Sequence, residues 1–174
     1  MRRTVQGIVL REINYKEADK ILTVLTREEG KLTIKARGCR RKNSRLLASS
    51  QLLVYSELAI TQRGEFITLA EGDPLTQFRR LGEDIDKLAL ASFFAEVTEK
   101  TVQEGEVCPD ILSLLLNCLY ALDTLDKPLE QVKAVFQLRL LTLTGLAPLL
   151  DACVVCGNPQ PAEPRLHLLQ GVLH

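Results

Sequence analysis

Seven cations crowd into fifteen residues: Lys31, Lys35, Arg37, Arg40, Arg41, Lys42 and Arg45. The chemistry open to them is phosphate binding. Each cation beside a phosphate displaces condensed counterions, which drives association with nucleic acid independently of base sequence. In the run 31–37, Lys31, Lys35 and Arg37 alternate with Leu32, Ile34 and Ala36. Period two puts the cations on one solvent face of a half-buried strand. Gly38 ends that strand, and the polar loop after it carries Arg40, Arg41, Lys42 and Arg45. Arg11, Lys16 and Lys20 extend the patch if the first two strands are neighbours. Three rings lie in the same region, Tyr15, Tyr55 and Phe66. Stacking an unpaired base on such a ring contributes roughly 1–3 kcal/mol. Tyr15, in a polar turn, is the stacking candidate; Phe66 is expected in the core, and Tyr55 fits core or surface equally. The competing reading of the cations is a plain solvated face.

A second constellation is Cys153-Val154-Val155-Cys156-Gly157. This C-x-x-C-G pattern makes a tight turn that aims two thiolates at one metal ion, and zinc is the metal such ligands suit. A closed structural site needs four ligands, so the pair is half of one. His167 and His174 are the other downstream ligand types, but their spacing does not match an H-x₃₋₅-H finger, and exposed tail residues is the alternative for both. A redox C-x-x-C would require a surrounding βαβ pattern, which is missing.

Signatures of catalysis are absent. The chain has no P-loop, G-x-G-x-x-G, G-x-S-x-G or H-E-x-x-H. A zinc deaminase needs H-x-E upstream of its cysteine pair, whereas both histidines here lie downstream. Cys39, Cys108 and Cys118 have no evident histidine to activate them, so the chain reads as a non-enzyme.

The elements that must position these groups fall into two regimes. Apolar, β-branched runs near 4–13, 21–26, 31–37, 52–60 and 66–69, separated by turn residues such as Glu29-Gly30 and Arg63-Gly64, describe five short strands and a small barrel. Beyond Asp73-Pro74 the period becomes helical. Helices are expected over 84–103 with Asp84 as N-cap, from Pro109 through Leu122, and over 129–144 after Pro128, with Gly145 as stop. Short linkers make these helices antiparallel neighbours.

The 174 residues balance 22 Lys+Arg against 22 Asp+Glu, but residues 1–45 hold 13 of the basic and 5 of the acidic ones. The basic excess therefore sits on the barrel half, as a polyanion partner would require. Charges interrupt every apolar run before the ~18 residues a membrane span needs. Met1-Arg2-Arg3-Thr4 leads into no apolar signal core, and the five cysteines are an odd count. Both point to a reducing cytosol.

The order of these features resembles the RecO family of DNA repair proteins. The resemblance rests on Gly7-Ile8-Val9-Leu10, on Glu17-Ala18-Asp19-Lys20-Ile21-Leu22-Thr23-Val24-Leu25-Thr26, on Gly30-Lys31-Leu32, and on Ala36-Arg37-Gly38. It continues through Phe93-Phe94 with Glu96, Gln103-Glu104-Gly105-Glu106, Phe136-Gln137-Leu138-Arg139-Leu140-Leu141, Gly145-Leu146-Ala147-Pro148 and the cysteine pair. It covers essentially the whole chain. It implies an α+β fold: an OB-like barrel over 1–78, a helical domain over 79–150 and a partial zinc module over 151–174. The activity implied is binding of single- and double-stranded DNA, strand annealing, and help in loading the RecA recombinase together with the single-stranded-DNA-binding protein and RecR, in a bacterial cytoplasm at the nucleoid. Similar proteins carry a second C-x-x-C, which Leu168–His174 here only approaches, so a truncated chain is expected. The alternative is an OB-type interaction module whose barrel docks an acidic partner tail, with DNA contact incidental.

Overall fold

A computed structural model describes residues 1–125, 127–167 and 169–173. Five strands, β1 (Arg2–Tyr15), β2 (Asp19–Thr26), β3 (Gly30–Ala36), β4 (Tyr55–Arg63) and β5 (Phe66–Thr76), close into a barrel in the order β1-β2-β3-β5-β4. All pairings are antiparallel except β3–β5, which is parallel and joins only Ile34 to Ile67 and Lys35 to Thr68. Strand alternation sends Val5, Val9, Leu22, Val24, Ile34, Leu58, Ile60 and Leu69 inward as one apolar cluster. The register of β1 on β2 shifts between Val9 and Arg11, and such a bulge re-aims side chains. Ile8, alternating with Val9, and Leu10, at the bulge, join Leu25 and Leu53 in a second cluster, shared with the helices.

The strand boundaries depart from expectation in two places. Leu52, Leu53 and Val54 precede β4, and β5 runs straight through Asp73-Pro74 to Thr76. A proline is compatible with a strand where its missing N–H is not required, here beside a register irregularity between Tyr55 and Ser56. Phe66, expected in the core, is 80% exposed. It closes the β4–β5 turn opposite Arg63, where none of the described residues covers it.

The connection from 37 to 54 is also not the purely polar loop that its composition implies. Cys39 and Leu46 belong to the barrel-interior cluster, and Ser49 and Ser50 are fully buried. The loop thus stoppers one mouth of the barrel. Gly72 permits this approach: a Cβ there would lie 2.3 Å from Ser49 Oγ and 2.7 Å from its Cβ.

After a 3₁₀ turn (Arg79–Glu83) come α1 (Ile85–Thr101), α2 (Pro109–Thr124) and α3 (Leu129–Leu143). Asp84 caps α1 as expected, accepting from the N–H groups of Asp86 and Lys87 at 2.9 and 3.2 Å. Phe94 of α1 stacks on Phe136 of α3 with centroids 4.1 Å apart, and both are fully buried. The helices are locked to the barrel where the backbone of 105–106 crosses the β2–β3 turn. Gly105 N–H donates to Lys31 O at 3.1 Å, and a Cβ on Gly30 would sit 2.0 Å from Glu106 O. A tail hairpin, β6 (Leu166–His167) with β7 (Val172–Leu173), ties back to Leu149 through mutual hydrogen bonds with Gly171 and Leu173.

Candidate nucleic-acid interface

Cross-strand pairs share a face, so the strand register maps the outer surface of the barrel row by row. One row runs Ile13–Ile21–Lys35–Thr68 across β1, β2, β3 and β5. The next, toward the helices, runs Arg11–Thr23–Thr33. The row on the other side joins Tyr15 to Asp19. This face is open, with Ile13 47% and Tyr15 42% exposed. α1 bounds it on one side, where Glu99 meets two of the sequence-derived cations. Arg11 Nη1 lies 3.4 Å from Glu99 Oε1, and Lys31 Nζ donates to Glu99 O at 2.7 Å. Lys31 shares its strand face with Lys35, as expected, but there its ammonium ties β3 to α1.

The opposite border is the β1–β2 turn and the basic loop, and here the chain is clamped. Asp19 Oδ1 accepts from Gly38 N–H at 2.8 Å, and its other oxygen lies 3.4 Å from Lys35 Nζ. Arg40 N–H donates to Ala18 O, and its guanidinium reaches Glu17 O at 3.3 Å. The Gly38 N–H, with Lys35 and Lys16 adding, holds the Asp19 carboxyl below its ordinary pKa. Gly38 itself takes φ +64°, a conformation that opens the loop away from β3.

Five cations project from this clamped segment. Arg37, Arg40, Arg41, Lys42 and Arg45 are all exposed, and among the described residues none of them has a carboxylate partner. Lys20 differs, being mostly covered and paired with Glu12 at 2.8 Å. Tyr15 ends β1 instead of lying in a free turn. Its ring has Lys35 Nζ 4.6 Å from the centroid and Lys16 Nζ at 5.5 Å. Tyr55 turns toward the helices, where burial pushes its hydroxyl pKa up, and that hydroxyl reaches Gln6 Oε1 at 3.2 Å. It is a packing residue.

The cysteine pair forms a knuckle apart from the barrel face. Gly157 N–H donates to Cys153 O at 2.8 Å, with Gly157 at φ +71°. The N–H groups of Cys156 and then Val155 point at the Cys153 sulfur and lower its pKa, as suits a thiolate ligand. The donor set is nevertheless incomplete: among the described residues no third His, Cys, Asp or Glu joins the pair. His167 lies on β6, where its Nδ1 accepts from Gln170 N–H at 3.3 Å, and His174 lies outside the described residues. No helix among the described residues is long and apolar enough to cross a membrane.

A closed five-stranded barrel with an open strand face, a clamped basic loop at its border and three helices packed behind it defines an OB-like protein with an appended helical bundle. The match to family models is specific. Residues 1–78 match the model "Recombination protein O N terminal" and residues 82–168 match "Recombination protein O C terminal". The chain belongs to the RecO family. It is 34% identical over 152 residues to the DNA repair protein RecO of Acetivibrio thermocellus, covering 87% of this chain and 61% of that one. The RecO of Caldicellulosiruptor saccharolyticus is 36% identical over 151 residues (87% and 62%), and that of Alkaliphilus metalliredigens 32% over 168 residues (97% and 68%). The chain thus spans about three fifths of the length of most of these relatives.

Proposed function

We propose that the chain is a non-catalytic DNA-binding mediator of recombinational repair that works in a bacterial cytoplasm. In this reading the barrel, residues 1–78, holds single- or double-stranded DNA, and the helical region 79–150 supports it. Annealing of complementary strands, and loading of the recombinase with RecR and the single-stranded-DNA-binding protein, are the activities that family membership brings to the chain. The observation that carries the reading is the clamped loop: Arg37, Arg40, Arg41, Lys42 and Arg45 exposed without carboxylate partners beside an open strand face. Arg11, Lys20 and Lys31 act at its margin as struts, since each already holds a protein partner. Cys153 and Cys156 supply two ligands toward zinc, and no step of this function passes through the metal.

Fluorescent oligonucleotides titrated at several salt concentrations test the reading. Affinity should fall steeply with salt, by about 0.7 in log K per log salt for each phosphate contacted on single strands. Changing Arg40, Arg41 and Lys42 together to Ala should weaken binding to both DNA forms and shallow that slope. A flat salt response in the wild-type protein sinks it. The second reading, docking of an acidic partner tail on the barrel, rests on the same exposed cations, since an acidic peptide is also a polyanion. Base-dependent affinity at the barrel rings separates the two.

A further inference from the structure

Phe66 stands 80% exposed at the start of β5, directly after the turn Gly64-Glu65. A single exposed ring carries no meaning by itself. Its position does. Thr68 pairs with Lys35, so Phe66, two residues earlier, points to the same outer face as Thr68 and Lys35. That face is the one that bears Tyr15, Ile13 and Ile21. Arg63, opposite Phe66 in the turn, is exposed and has no carboxylate partner among the described residues.

We propose that Phe66 is a second stacking platform, and that an unpaired strand crosses the barrel face diagonally from Tyr15 to Phe66, its bases lying over Ile13, Ile21 and the stem of Lys35. The proposal rests on the DNA-binding reading and adds to it the path of the strand and the basis of strand-type choice. The two rings lie at opposite corners of the face. Tyr15 is on β1, at the level of Asp19; Phe66 is on β5, in the row that Arg11, Thr23 and Thr33 begin. Three strand steps of about 4.8 Å and about four residues of about 3.3 Å place the rings roughly 20 Å apart along the diagonal. A segment of about four to six nucleotides spans that distance, within the range one OB barrel occupies. Between the rings the surface presents Ile13, Ile21, Thr23, Thr33 and Thr68, and the stem of Lys35, whose ammonium is turned to Tyr15 and Asp19, suiting base edges and faces. The cations without carboxylate partners among the described residues sit at the borders: the basic loop near Tyr15 and Arg63 near Phe66. Duplex DNA has no free base faces to offer such a track, so the rings serve single strands alone and the loop serves both forms.

The test uses the full chain with fluorescein-labelled oligo(dT) and a duplex of equal length, at one fixed salt concentration. Phe66→Ala should weaken oligo(dT) binding roughly five- to tenfold and change duplex binding less than about twofold. Phe66→Leu keeps an apolar side chain without a π face and should behave as Phe66→Ala does, whereas Phe66→Trp should restore or exceed wild-type affinity. The exposure of Phe66 leaves folding unaffected by these changes, which a thermal melt verifies. Wild-type oligo(dT) affinity in Phe66→Ala, alongside weakened binding in the Arg40/Arg41/Lys42→Ala variant, overturns the track and leaves the DNA-binding reading standing. Equal losses on oligo(dT) and duplex also overturn it. Unchanged binding in both variants removes the reading beneath it as well.

Discussion

At the scale of single residues, Asp19 does more than its charge indicates. It faces Lys35 and Lys16 and accepts from the Gly38 N–H, so it holds the β1–β2 turn against the root of the basic loop. Its folded pKa is depressed, so the stabilisation it provides is fully present above the unfolded carboxylate value of about 3.9 and is lost as pH falls through the lower folded value. Asp19→Asn should therefore speed tryptic cleavage within 37–45 at neutral pH, and its stability deficit relative to wild type should shrink on acidification below pH ~4. A deficit that grows in acid would contradict the clamp. The cysteine pair supports a different prediction. Two thiolates do not close a tetrahedral zinc site, so the 174-residue chain should retain less than one zinc per molecule after dialysis against a mild chelator. Elemental analysis showing one zinc per chain would overturn this, and loss of metal in His167→Ala or His174→Ala would then identify the missing ligands. The Cys118 thiol, pushed up to about 11 by burial, should be the slower to alkylate at pH 8 when compared with the exposed Cys156.

Among the elements, those written in local chemistry were legible. Asp84, Pro109 and Pro128 mark helix starts, and the helices begin at Ile85, Pro109 and Leu129. Strict alternation in 31–37 located β3. What periodicity could not show was which neighbour each outward residue would meet. Lys31 and Lys35 share one face of one strand, yet α1 consumes the first and the Asp19–Tyr15 corner holds the second. Phe66 was misplaced for a related reason, because hydrophobicity predicts burial only where a second layer arrives. The 37–54 loop hid its role as a stopper because Cys39 lies among cations and the fully buried Ser49 and Ser50 are polar by type. Gly30 shows how strongly the elements depend on one another. At φ +71° and with Glu106 O 2.0 Å from where a Cβ would be, Gly30→Ala should push the 104–106 crossing off the β2–β3 turn. A loss of about 2 kcal/mol or more is expected in chemical denaturation, with amides of 104–108 losing protection; an unchanged midpoint would show that the crossing tolerates the displacement.

For the molecule as a whole, the barrel and the bundle are not separable layers. Ile8, Leu10, Leu25 and Leu53 leave the barrel to enter the same core as Phe94, Leu115 and Phe136. The barrel is braced by helices behind β1 and β2, while its opposite side depends on the seam between β3 and β5. That seam has only two residue pairs, Ile34–Ile67 and Lys35–Thr68, in the weaker parallel arrangement. A cylinder zipped by so short a join breathes there first. In deuterium exchange the amide of each pair, 34–35 and 67–68, that points into this seam should label ahead of its neighbour, which bonds β2 or β4 instead, and the proposed diagonal strand would lie across them. Bound oligonucleotide would then act as a bandage over the cylinder's thinnest stitch, slowing exchange at 67–68 beyond its effect on β1. Stiffness of the fold and occupancy of its surface would be one quantity, read at the amides of that join.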